Sequence, residues 1–227
     1  QSNDMSIPVV YGTRKIGGIR VFVETSGSDN EFLYIALVLC EGEIESVDKI
    51  YIDDKEVTWS GTLADDTLRT VGSSDGNFYK DSTSLISVKC HYGTDSQAQC
   101  DLLGTLTSWT SNHRLRGLAY ISLKIKWNQD AFGGLPQVQA LIKGKKVVAY
   151  NSSSVAQTAA HSNNPAWCLL DYLTNERYGK GIPIANIDIP SFYTASGVCD
   201  TDVTAYGSTT IDVLDCNAVI DTSRKVI

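Results

Sequence analysis

The stretch FLYIALVLC, residues 32–40, limits what this chain can become. Its nine consecutive apolar residues are about half of the ~20 that a membrane-spanning helix needs. A buried β-strand is the state that suits such a run, bounded as it is by Glu31 and by Glu41-Gly42. Further strands are predicted at Ile19–Glu24, Ser46–Ile52, Leu85–Tyr92 and Leu118–Trp127, where β-branched and aromatic residues alternate or cluster between Gly, Asp, Ser and Asn. Residues 57–77 are rich in Thr, Ser, Gly and Asp with weak periodicity, and read as a surface insertion or mobile hairpin. Residues 137–150 read as two short strands flanking a turn centred on Gly144.

The last third changes character. In NPAWCLLDYLTNERYGKGI, residues 164–182, Asn164 is an N-cap and Pro165 fits the first helical position, where no donor is needed. Ala166, Leu169, Leu170 and Leu173 fall on one stripe at helical spacing, which predicts the buried face. Arg177 suits the negative helix end, and Gly179 is expected to leave it in a left-handed conformation. A second short helix is predicted over 187–200, with Asp188 near its start, Pro190 in its first turn and Gly197 near its end. Residues 211–219 return to a strand pattern. In the closing DTSRKVI, Asp221 or Thr222 could cap a helix that has no room to form, so the chain is expected to be a fragment of a longer protein. The fold class expected is mainly β with minor α. A β-rich domain would occupy residues 1–150, with an insertion near 58–80, and an α+β segment 151–227.

Charge and motifs exclude more than they assign. A net charge of −7 and a pI near 4.9 argue against a nucleic-acid backbone or an anionic membrane as the main partner. Six scattered cysteines without a Cys-x-x-Cys motif, in a chain too large to need staples, are expected to be free thiols in a reducing compartment. The three histidines form no metal-binding pair, and Cys90, His91 and Cys100 lack both a usual zinc spacing and a fourth ligand. His113 reads as a surface or capping residue. Neither a Gly-x-Ser-x-Gly elbow nor a phosphate-binding loop is present. The acidic pairs Asp53-Asp54 and Asp65-Asp66 read as solvated turn residues. No catalytic, cofactor-binding or metal-binding residue is assigned, and no enzymatic turnover is expected.

The segments PVVYGTRKIGGIRVFVE (8–24), ALVLCEGEIESVDKIYIDDKEV (36–57), HRLRGLAYISLKIKWNQDAFGGLPQVQALIKGKKV (113–147), the capped helix at 164–182 and CNAVIDTSRKV (216–226) closely resemble, in order, the central tail tip proteins of long-tailed bacteriophages. This is the tip attachment or host-specificity family, found also in prophages and gene transfer agents. The similarity covers nearly the whole chain and is weak only over residues 60–80.

The resemblance implies a structural virion protein with β-barrel-like hub domains. A homotrimer would close the tail tube at its tip. The distal tail protein, other tail tip proteins and the tape measure protein would be its partners, and the host receptor would be reached through further parts. Assembly would take place in the bacterial cytoplasm. In that setting the helix would lock the second segment onto the β region, and RYGKGI would hold its exit turn. Two rival readings are a carbohydrate-binding module, which needs a solvent-facing row such as Trp59, Trp109 and tyrosines, and a virion-associated cell-wall hydrolase, which needs paired acids in a cleft.

Overall fold

The computed structural model describes residues 6–204 and 210–222. The fold is mainly β with minor α. In chain order it runs β1 (Val9–Tyr11), β2 (Thr13–Gly17), β3 (Ile19–Ser26), β4 (Phe32–Glu41), β5 (Ile44–Ile52), β6 (Lys55–Glu56), β7 (Arg69–Thr70), β8 (Tyr79–Lys80), β9 (Thr83–Ser84), β10 (Ile86–His91), β11 (Leu118–Lys126), β12 (Val138–Val147) and β13 (Ala160–His161). Then follow α1 (Pro165–Thr174), α2 (Ile189–Cys199), β14 (Asp202–Thr204), β15 (Thr210–Asp212) and β16 (Ala218–Ile220).

The apolar run at 32–40 is β4, and both of its faces are covered. Ile35, Leu37 and Leu39 point into the main core, while Tyr34, Ala36 and Val38 lie under Leu103, Leu106 and Trp109 of the loop before β11. A strand covered on both sides has no position that must be polar, which is why the sequence shows a continuous run and no alternation. One sheet has the order β3-β4-β11-β10-β7. The other has the order β13-β12-β5-β6, with β2 also paired to β12. The main core lies between them, built from inward residues of β4, β5, β10, β11 and β12. Beyond α2, β14 and β15 form a small hairpin of their own.

Residues 57–78 do more than decorate the surface. Val57, Leu63, Val71 and Phe78 are buried in the main core. The buried Asp75 fixes the loop: Oδ1 accepts from the N–H groups of Asn77 and Phe78 at 2.9 and 2.8 Å, and Oδ2 from that of Thr58 at 2.7 Å. Single apolar anchors and side-chain-to-backbone bonds leave no periodic trace, so a pattern search reads such a segment as loose.

Gly144 is the second departure. β12 runs unbroken through it, and no turn divides residues 138–147. A Cβ on residue 144 would lie 2.1 Å from the Val10 carbonyl oxygen, and the Gly144 N–H donates to the Gly12 carbonyl at 2.7 Å. The glycine is there so that β1 can pass against β12. Residues 211–219 are likewise not one strand: β15 ends at Asp212, and β16 starts at Ala218 and pairs with β1. The capping reading of Asp221 or Thr222 concerns a segment that, beyond Thr222, lies outside the described residues. Among the described residues no helix is long and apolar enough to cross a membrane.

Candidate functional site

The region where the helices meet the β-sheets is built around α1. Asn164 caps it as expected, its side-chain oxygen accepting from the Ala166 N–H at 3.0 Å, while its amide donates to the Ser196 carbonyl and to Asp200 at the end of α2. One buried asparagine thus ties both helices together. The buried face differs from the predicted stripe. Ala166, Trp167, Cys168 and Leu170 are inside, whereas Leu169 is 50% exposed. The inward face is set one position later, through Trp167 and Leu170, because the largest apolar side chain, Trp167, and the one charged side chain with buried partners, Asp171, share it.

Asp171 has no place in an amphipathic stripe, yet two tyrosines explain it. The hydroxyls of Tyr11 on β1 and Tyr178 after α1 both donate to Asp171 Oδ2, at 2.5 and 2.6 Å. Burial, and then the Asp171 charge, push both phenols far above the usual tyrosine range, so both stay neutral donors. Beside them Arg177 Nε meets Glu41 Oε1 at 2.9 Å, and Lys145 Nζ sits 5.6 Å from the Tyr178 ring centre. Burial raises the Glu41 carboxyl, against the pull of Arg177 and Lys145. Arg177 therefore serves the β region and not the helix end. Gly179 also has a different task, since a Cβ there would lie 1.8 Å from the Tyr172 carbonyl oxygen; the left-handed residue is Gly181, at φ 63°. A lone carboxylate in a ten-residue apolar helix was the one sequence signal of this cluster.

A second polar group lies on β10. Lys89 is buried, and its ammonium pairs with Asp66 at 2.8 Å and Asp101 at 2.7 Å. Burial presses the lysine down, but these two carboxylates outweigh it and hold the ammonium above the usual range. His91, two residues on, is buried and stacked on Tyr120 with ring centres 4.4 Å apart. Burial lowers its pKa, although Asp66 lies 3.9 Å away and pulls the other way. The unfolded chain takes up a proton on this ring below about pH 6.5, and the folded chain resists it. Stability is therefore fully present at neutral pH and falls as the pH drops through that value, by at most about 1.4 kcal/mol per pH unit. His161, lowered by burial and by Lys143, adds to the same slope. Between about pH 7.5 and 5.5, a His91→Gln variant should show a shallower loss of stability in urea unfolding than the parent chain. An unchanged slope would mean that His91 titrates freely.

The other residues weighed from sequence are not brought together. Cys90 and His91 point to opposite faces of β10, and among the described residues no group of His, Cys, Asp and Glu has the geometry to hold a metal ion. His113 is exposed, stacks on Trp109 and accepts from the Thr110 N–H at 2.9 Å, as a loop-capping residue does. Asp53 and Asp54 form a left-handed turn, where Asp53 Oδ1 accepts from the Gln137 N–H. Asp65 Oδ1 accepts from the Tyr92 N–H, and Asp66 serves Lys89. Each carboxylate has a structural partner. Two exposed apolar side chains, Val21 and Val23, 46% and 41% exposed, stand on β3, which among the described residues is the edge strand of its sheet beside β4.

No protein-family model matches the chain. The baseplate hub protein pb3 of Escherichia phage T5 is 24% identical to it over 97% of this chain. Over nearly its whole length the chain is similar to a phage baseplate hub protein. The similarity runs through the β-sheets and the helical region alike, and it takes in 29% of the length of pb3, so this chain spans less than a third of that relative. Among solved structures, a chain of the virion of a native gene transfer agent particle aligns with 64% of this chain and 28% of its own length, at 19% identity and a TM-score of 0.46.

Proposed function

We propose that this chain is a structural part of the tail-tip hub of a long-tailed phage and acts through contacts between subunits. The observation that carries this reading is the similarity to a baseplate hub protein along 97% of the chain. Such a hub is a structural part of the particle and not an enzyme. Three copies would close the end of the tail tube, held by the distal tail protein above and continued by receptor-binding parts below, with assembly in the bacterial cytoplasm. A three-fold ring uses two different faces of each subunit. β3 offers one such face, since an edge strand carries a free row of backbone donors and acceptors beside the exposed Val21 and Val23. The residues proposed for a sugar platform are turned inward: Trp109 is buried, and Trp59 packs against the main core.

The test is the mass of the full-length protein in solution, followed by electron microscopy. Three-fold rings are expected, and Val21→Asp or Val23→Asp should abolish tail assembly. His113→Ala and His161→Ala should leave infectivity nearly intact. A monomer that forms no ring would overturn the reading, and a histidine variant that assembles but no longer infects would favour the hydrolase.

A further inference from the structure

The six cysteines are not equivalent. Cys40, Cys90, Cys100 and Cys199 are buried, and burial pushes the Cys40 and Cys90 thiols up to about 12. These behave as small apolar side chains. Cys168 on α1 and Cys216 just before β16 differ, because their thiols share a hydrogen bond. The backbone holds them in that place. Cys168 Sγ lies 3.6 Å from the Ser162 carbonyl oxygen, and the Cys216 N–H donates to the next carbonyl, that of Asn163, at 2.6 Å. The Asn163 amide also donates to Asp215. The segment carrying Cys216 is therefore pinned to the residues that lead into α1. Both cysteines line an apolar cavity of about 250 Å³, and half-exposed Leu169 stands at its rim.

We propose that Cys168 and Cys216 are a redox-active pair, which a small-molecule disulfide such as oxidised glutathione converts into an intramolecular bond locking the β16 end of the chain onto α1. Cys216 is partly exposed, and the Cys168 thiol beside it holds it below the usual thiol range, so it is the sulfur of the pair suited to attack first. The Cys216 thiolate attacks one sulfur of the oxidant, a mixed disulfide forms, and the first glutathione leaves as thiolate. Cys168, buried behind it, then loses its proton to that thiolate and attacks Cys216 Sγ, expelling the second glutathione. Two protein thiols are oxidised and one glutathione disulfide is reduced to two thiols. The Cys168 thiol is held high chiefly by its bond to Cys216. That restraint ends once Cys216 carries the mixed disulfide, which makes the second step follow the first.

The bond would close the loop that contains α2 and the β14–β15 hairpin, removing freedom from the unfolded chain. For a virion protein, passage from a reducing cytoplasm to an oxidising exterior would set the bond after release. That use rests on the tail-hub reading; the chemistry does not, and thiol counting tests the chemistry alone.

The purified chain is incubated in oxidised glutathione, quenched with acid, denatured and titrated for thiols, with peptide mapping by mass spectrometry. Free thiols should fall from six to four with no glutathione retained, and the lost pair should map to Cys168 and Cys216. The oxidised chain should melt higher than the reduced one by about 5 °C or more. Cys216→Ser should retain five free thiols and show no crosslink. Six remaining thiols, a different pair in the map, or glutathione held on Cys216 beside a free Cys168 would each overturn the proposal, and the mapping on the parent chain decides it even if the variant folds poorly.

Discussion

Leu170→Ala should lower the stability of this chain by about 2–5 kcal/mol. Leu170 is 2% exposed and belongs to the cluster of Val9, Tyr11, Val147, Trp167 and Ile189, where α1 docks on β1 and β12. Truncation removes transfer energy and leaves a cavity that rigid neighbours fill only in part. Leu169→Ala, one residue earlier and half exposed, should cost under about 1 kcal/mol. Both changes replace Leu by Ala inside the same helix, so intrinsic helix propensity cancels and the difference reports burial. Urea midpoints at unchanged slope measure it. Similar small losses at both positions would place the docking face elsewhere on α1.

Gly144→Ala should cost about 3 kcal/mol, at the upper end of what overpacking does. The added Cβ would meet the Val10 carbonyl carbon at 2.7 Å and its oxygen at 2.1 Å, both backbone atoms that cannot swing aside. β1 would have to move off β12, and with it Tyr11 and its bond to Asp171. Gly134→Ala is the control, since a Cβ at that position would have nothing within 4 Å and no positive φ is required there. It should stay within about 0.5 kcal/mol of the parent. If Gly144→Ala were equally mild, the close passage of β1 against β12 would not be a constraint on the fold.

Much of this architecture could be read from residues alone. The run at 32–40 announced a buried strand, and Asn164-Pro165 marked where α1 begins. Pro190 and Asp188 placed α2 at Ile189–Cys199, close to the predicted span. These succeed because caps, proline and apolar runs act through neighbouring residues, and their physics is complete within a few positions of the chain. The order of the motifs also carried the resemblance to tail hub proteins, which the similarity to pb3 upholds.

Other features depend on residues far apart in sequence. Gly144 has the same composition signature as a turn, and only the backbone of β1 passing beside it shows why no side chain fits. The inward face of α1 could not be chosen from its own apolar residues, because Tyr11 and Tyr178 select it by their bonds to Asp171. Val57, Leu63, Val71 and Phe78 lacked any period, yet the core between the sheets takes all four. The adjacency of Cys168 and Cys216 likewise depends on how the chain returns past Asn163. The sequence by itself determined most of the long strands, the helix starts and the likeness to a baseplate hub; the tertiary structure alone decided which surfaces meet, since contacts across tens of residues are set by shape and hydrogen-bond partners that no local pattern contains.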